Sequence, residues 1–227
     1  MGKKNTANRF LKAVRDALLD KLDTQPSVAP FVSALDDALK AKLGKSPKSP
    51  DDLAALAHLS PLLDDIRDGA TTYGDAIAKV ASAVGWYSCY PDLADRHLAD
   101  GMLAAHVCGP AGIVQHPECM ATYFLLAPEI DYPLHDHRAD ELYFVASGNV
   151  AISTGLDGDL IPRTTGDAVV VPSGMPHRLK TTETPALLLA LWIGEITCPV
   201  FWYEKAEAPD TWRRYHQRRG MEAFLAA

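Results

Sequence analysis

The chain has little of what would place it in a membrane, on a nucleic acid or in a disulfide framework. No run approaches the eighteen or more consecutive apolar residues of a membrane span, and the opening Met1–Phe10 segment has no apolar stretch behind its lysines. The expectation is a cytoplasmic protein without a membrane partner. Basic residues are outnumbered, 22 Lys and Arg against 29 Asp and Glu. The resulting net charge of −7 opposes attachment to phosphate backbones or anionic lipid, so no nucleic-acid partner is expected. Cysteine is scarce: Cys89, Cys108, Cys119 and Cys198 form no C-x-x-C pair and fit reduced, buried thiols better than disulfides or structural zinc. No period of about 20–50 residues recurs, which argues against a solenoid. What remains, at 227 residues with 48% hydrophobic and 22% charged side chains, is a globular chain of one large or two small domains.

Two compositions share this chain. Up to about Gly85 it is rich in Ala, Leu, Asp and Lys, whereas aromatic and β-branched residues gather after Trp86. Phe10, Leu11, Val14, Leu18, Leu19 and Leu22 recur at helical spacing, as do Phe31, Leu35, Ala38, Leu39 and Leu43 between Pro30 and Gly44. Leu53, Leu56 and Leu59 predict a third short helix that stops before Pro61, and a fourth is expected from about Tyr73 to Val84. From Met102 the signals shorten to runs such as 119–127, 141–146, 149–154, 168–171 and 187–193, each bounded by Gly, Pro, Asp or Ser. This pattern predicts an antiparallel barrel or sandwich. The basic tail Asp210–Arg219 is expected to form a final short helix with a solvated face. The expected organisation is a helical region over 1–85 and a β domain with its C-terminal helix over 86–227.

One cluster of residues carries chemistry. His135 and His137 are two apart, Glu141 follows after three residues, and Tyr143 lies two beyond it. On extended strands each pair shares a face, and a turn through 138–140 would bring the pairs together. Two imidazoles and a carboxylate without thiolate suit one divalent transition-metal ion such as Zn, Fe, Mn, Ni or Co. A second segment, from Gly166 through Pro172, Gly174 and Pro176 to His177, reads as a strand ending in a turn that delivers a third imidazole. His58, His97, His106, His116 and His216 lack such neighbours and read as surface or satisfied core positions, while Asp136, Arg138 and Asp140 lie where they could orient the imidazoles.

Read as His135-x-His137-x3-Glu141-x6-Gly148 and Gly166-x5-Pro172-x-Gly174-x2-His177, the two segments resemble the paired motifs of the cupin superfamily. The likeness spans roughly residues 115–203 and implies a small double-stranded β-barrel, mainly β, with a metal held by three histidines and a glutamate. The wider pattern has Gly six positions before the first histidine, where this chain has Glu129, and often Asn four after the last, where it has Thr181. Within the superfamily, the chain resembles bacterial lyases that split dimethylsulfoniopropionate into dimethyl sulfide and acrylate. Tyr132, Tyr143, Trp192 and a helical region before the barrel carry that likeness.

The implied reaction is a β-elimination, for which a metal would serve as Lewis acid at the substrate carboxylate. Tyr143 is the expected base, with Tyr132 orienting carboxylate or tyrosinate, although the two roles are interchangeable at this stage. A dimethylsulfonium head cannot donate hydrogen bonds, so aromatic faces should receive it, Trp192 first and then Trp202, Tyr203, Trp86 and Tyr90. Two other uses of the same barrel stay open: an oxygenase or isomerase acting on another small acid, and a binding protein without turnover. A homodimer would fit the sheet edges of such a barrel.

Overall fold

The computed structural model describes residues 3–69, 73–207 and 211–221. Five α-helices are present among these: α1 (Lys3–Leu19), α2 (Ala29–Ala38), α3 (Leu59–Asp68), α4 (Gly74–Val80) and α5 (Arg96–Gly101). The strands are β1 (Lys42–Leu43), β2 (Trp86–Ser88), β3 (Met102–Cys108), β4 (Val114–Gln115), β5 (Cys119–Leu126), β6 (Asp131–Asp136), β7 (Asp140–Thr154), β8 (Ile161–Thr164), β9 (Ala168–Val171), β10 (His177–Lys180), β11 (Ala186–Ile193), β12 (Val200–Lys205) and β13 (Trp212–Gln217). No helix among the described residues is long and apolar enough to cross a membrane.

The strands form an antiparallel barrel of two sheets, broken only by a short parallel contact between β3 and β4. One sheet runs β2-β3-β5-β11-β7-β9 and the other β8-β7-β10-β6-β12-β13. The long strand β7 belongs to both. It changes sheets at Gly148, whose φ of 83° is the left-handed region and where a Cβ would lie 2.3 Å from the Pro185 carbonyl oxygen. Glycine is therefore required at the corner.

The helices cover the outer face of the first sheet. Alternation along β5 turns Tyr123 outward, where its ring meets Phe10 of α1 at 5.1 Å and Trp86 at 5.7 Å. Its hydroxyl donates to the Ile77 carbonyl of α4, and Trp86 Nε1 donates to the Ala81 carbonyl at 2.9 Å. Helices and barrel share one continuous apolar core.

Local expectations are corrected in three places. The predicted stop before Pro61 is wrong: residues 54–58 form a 3₁₀ turn and α3 starts at Leu59, so Pro61 sits in the first turn, where its missing N–H removes no helical bond. The second helix ends at Ala38 rather than near Gly44, and Lys42–Leu43 instead pairs with β4. The expected C-terminal helix is a strand over Trp212–Gln217, with Asp210 outside the described residues. There the pairing offered by the edge of β12 outweighs helix propensity. Arg214 also gains a buried partner, Asp136, at 2.6 Å, and stacks over Phe201 at 3.6 Å.

Candidate active site

The first sheet presents rows of inward side chains across paired strands. Glu141 of β7 pairs with Trp192 of β11 and, beyond it, Met120 of β5; Tyr143 pairs with Ala190, which pairs with Thr122, which pairs with His106 of β3. From the second sheet His177 of β10 lies opposite His135 of β6. Tyr132 is three residues before His135, a spacing that on a regular strand points to the opposite face. The register slips between His177 and Leu179, and this bulge turns both side chains inward. Their rings stack at 3.9 Å.

Ligand-capable atoms of His135, His137 and His177 all lie within 4.8 Å of one another, and all three residues are buried. Glu141 completes the group, with Oε2 2.8 Å from His137 Nε2 and 3.2 Å from His177 Nε2. Each imidazole donates Nδ1–H to a backbone carbonyl: Pro133 at 2.8 Å, Ala139 at 3.1 Å and Met175 at 2.9 Å. These bonds hold the Nδ1–H tautomer, leaving every Nε2 lone pair for the centre. Four donors of this kind, dry and mutually crowded, fit a divalent cation that would occupy the space between them. The two turns carrying them are stapled together: Ser173 N–H donates to Asp140 Oδ1 and Gly174 N–H to the His137 carbonyl, both at 2.8 Å.

Burial opposes charge on Glu141, but the adjacent His137 and His177 outweigh it and hold the carboxyl well below the usual range. Burial, then the neighbouring His177 and His137, lowers His135. Burial and then the Glu141 charge push Tyr143 well above the ordinary tyrosine value, and burial does the same to Tyr132. The Tyr143 hydroxyl lies 3.3 Å from His177 Nε2, and Tyr132 shares a 2.6 Å hydroxyl–hydroxyl bond with Tyr90, which burial pushes up to about 12.

The chamber above these groups is partly open to solvent and is walled by Tyr90, Phe124, Tyr132, Tyr143 and Trp192. Of the residues singled out from sequence, Tyr132, His135, Glu141, Tyr143 and Trp192 line it, His137 stacks on Trp192 at 3.9 Å, and His177 lies 3.3 Å from the Tyr143 hydroxyl. Among the weaker candidates, Tyr90 lines the chamber, Trp202 packs on Tyr90 at 5.0 Å, Trp86 faces the helices, and Tyr203 donates to Asp136 on the far side of β6. Asp136 thus orients no imidazole, and Arg138 is exposed. Among the wall residues that the sequence reading did not place in the site are three polar ones: His106, read there as a surface or satisfied core position, Thr122 and Arg219. A histidine inside the wholly buried run Met102–Cys108 was a usable signal for the first; nothing local marks the other two.

An antiparallel two-sheet barrel enclosing three imidazoles and a carboxylate defines a cupin. The solved structure of the dimethylsulfoniopropionate lyase DddQ from Ruegeria pomeroyi superposes with a TM-score of 0.59 at 21% identity, over 89% of this chain and 98% of that one. A curated dimethylsulfoniopropionate lyase DddQ of the same organism is 31% identical over 188 residues, covering 81% of this chain and 89% of the relative. DddL of Cereibacter sphaeroides is 25% identical over 186 residues, 81% of this chain and 70% of the relative. The family profile for dimethylsulfoniopropionate lyase matches residues 41–188. The chain belongs to the dimethylsulfoniopropionate lyase family.

Proposed function

We propose that the chain is a metal-dependent carbon–sulfur lyase that converts dimethylsulfoniopropionate to dimethyl sulfide and acrylate, with Tyr143 as the base. The observation that carries this reading is the Tyr143 hydroxyl, 3.3 Å from His177 Nε2 at the wall of an aromatic chamber. His135, His137, His177 and Glu141 would hold the divalent ion, be it Zn, Fe, Mn, Ni or Co. When bound, the ion supplies positive charge that lowers the Tyr143 pKa and neutralises charge building on the substrate carboxylate.

Tyr143, as tyrosinate, takes the proton from the carbon beside the carboxylate. That C–H electron pair becomes the new carbon–carbon double bond, and the carbon–sulfur pair departs with sulfur as neutral dimethyl sulfide. Acrylate remains, and the tyrosine proton passes to solvent to restore the base. Tyr132, stacked on His135 and bonded to Tyr90, keeps its proton and orients the reactants. Trp192 walls the substrate, with its ring stacked on His137 at 3.9 Å and the Arg219 guanidinium 5.2 Å from its centroid. The dimethylsulfonium head is best received by the Tyr90 and Tyr132 rings of the chamber wall, whose centroids lie 5.8 Å apart and which Trp202 backs at 5.0 and 6.1 Å.

The test is headspace dimethyl sulfide from metal-reconstituted protein given dimethylsulfoniopropionate. Tyr143→Phe is expected to lower turnover by about 10²–10⁴-fold with metal content intact. His177→Ala is expected to lose both turnover and metal. Turnover that survives Tyr143→Phe would remove the base assignment, and no release with any of the five metals bound would remove the substrate.

A further inference from the structure

The chamber holds a cation that the histidine site does not use. Arg219 follows β13 and lies over Trp192, with its Nε buried and without a hydrogen-bond partner among the described residues. Arg178, Arg213 and Arg214 of the second sheet each pair with a carboxylate. Arg163 of β8 shares the unpartnered Nε but does not line the chamber. Arg219 has no such ion pair among the described residues, although it lines the same cavity as Glu141 and Tyr143.

Its placement is built into the chain around it. Gly220 N–H donates to the Cys89 carbonyl at 2.7 Å, and a Cβ on Gly220 would come within 2.1 Å of the Ser88 carbonyl oxygen. Only glycine permits so close an approach. Met221 is then buried with Tyr87 and Ala104 at the chamber wall. Arg219 is thus held at the cavity by its neighbours.

Two further polar atoms at the chamber wall lack partners among the described residues: His106 Nδ1 and Thr122 Oγ1 are both buried and unbonded there. They belong to directly paired residues of β3 and β5. The other ring nitrogen of His106 bonds the Tyr87 hydroxyl at 2.7 Å. Burial, and secondarily the Arg219 charge, pull His106 down to about 3, so this ring is neutral. It offers hydrogen bonding without cancelling the guanidinium charge. A buried donor left without an acceptor costs free energy that an entering anion would offset.

We propose that Arg219 anchors the carboxylate of the small acid that occupies the chamber, with His106 and Thr122 as the adjacent hydrogen-bonding groups. The identity of that acid rests on the lyase reading; the anion site does not. Anchoring one carboxylate oxygen leaves the other for the histidine cluster. It also orients a zwitterionic substrate, because a sulfonium head is repelled by Arg219 and so turns toward the Tyr132 ring, which lies beyond Tyr90 from it.

The experiment titrates the full-length protein with propionate and with its neutral isostere propionamide, read by calorimetry. Arg219→Gln is expected to weaken propionate by about 10–100-fold, the range of a charge-assisted hydrogen bond, while propionamide changes little. Arg219→Lys should fall between the two. Lyase assays should show the same loss in KM with a smaller change in kcat. Absence of propionate binding by the wild type, or equal binding by Arg219→Gln, overturns the proposal, as does a parallel loss of propionamide, which would report a collapsed cavity. Propionate binding through Arg219 without dimethyl sulfide release would retain this site and remove the lyase reading; the converse would do the reverse.

Discussion

The two faces of the sheet formed by β3, β5 and β11 use the same strands for opposite ends. On the outer face every polar tip described is satisfied: the Tyr123 hydroxyl reaches Ile77 and the Trp86 indole reaches Ala81. One residue along β5, on the inner face, Thr122 Oγ1 has no partner among the described residues, and neither does His106 Nδ1 beside it. Alternation makes this contrast possible, since neighbouring residues on one strand see different solvents. Satisfied polar groups mark the face that stabilises the fold, and unsatisfied ones mark the face that awaits a ligand.

The contrast can be broken from either side. Phe10→Ala opens a void on the outer face and should cost about 3–5 kcal/mol in urea unfolding, with dimethyl sulfide release per folded molecule unchanged. A fall in that specific release would show that the faces are coupled. The inner face should instead respond to acid. His106 takes up its proton near 6.5 when unfolded but only at about 3 when folded, so its contribution is full above 6.5 and is lost as pH falls from there toward 3. Between pH 7.5 and 4.5 the wild type should lose about 2–3 kcal/mol more than His106→Gln; equal losses would mean that the ring is not held neutral. Thr122→Val removes an unsatisfied hydroxyl at constant shape and should leave stability unchanged or raise it by about 1 kcal/mol, seen as an unchanged or higher urea midpoint. A clear destabilisation would show that the hydroxyl has an unseen partner.

The site was more legible than the frame around it. His135, His137, Glu141 and His177 could be grouped because two short motifs fix the chemistry and the strand period fixes the face. The inward turn of Tyr132 was not readable from spacing, because it depends on a bulge set by register with β10. The C-terminal strand was missed for a similar reason: Trp212–Gln217 is extended because β12 offers a free edge, and no local signal encodes a register that runs from Lys205 opposite Trp212 to Val200 opposite Gln217. Arg219 is invisible to motif reading since its meaning lies in the buried neighbours it lacks.

The two departures from the wider cupin pattern turn out to adjoin one another. Glu129, where Gly is usual, has a φ of 59°, the one positive value for a non-glycine residue among those described. Glu129 N–H donates to the Thr182 carbonyl at 2.6 Å. Thr181, where Asn is frequent, closes the same turn by donating to the Ala127 carbonyl at 2.7 Å and accepting from Ile130 N–H at 2.9 Å. The turn therefore keeps its left-handed backbone despite a side chain that disfavours it. Glu129→Gly should stabilise the protein by about 0.5–1 kcal/mol, the smallest of the expected effects, read as a higher urea midpoint.

The staple between the two histidine-bearing turns has a temporal consequence. His137 and Gly174, and Asp140 and Ser173, are joined across more than thirty residues of chain, so a lengthening polypeptide displays two imidazoles well before the third exists. A cation met at that stage would find only part of the ligand set. Only when β10 docks on β6 and β7 does His177 join the other two, so a divalent ion of the kind proposed above would meet its complete set of ligands late, at a strand pairing rather than at first encounter.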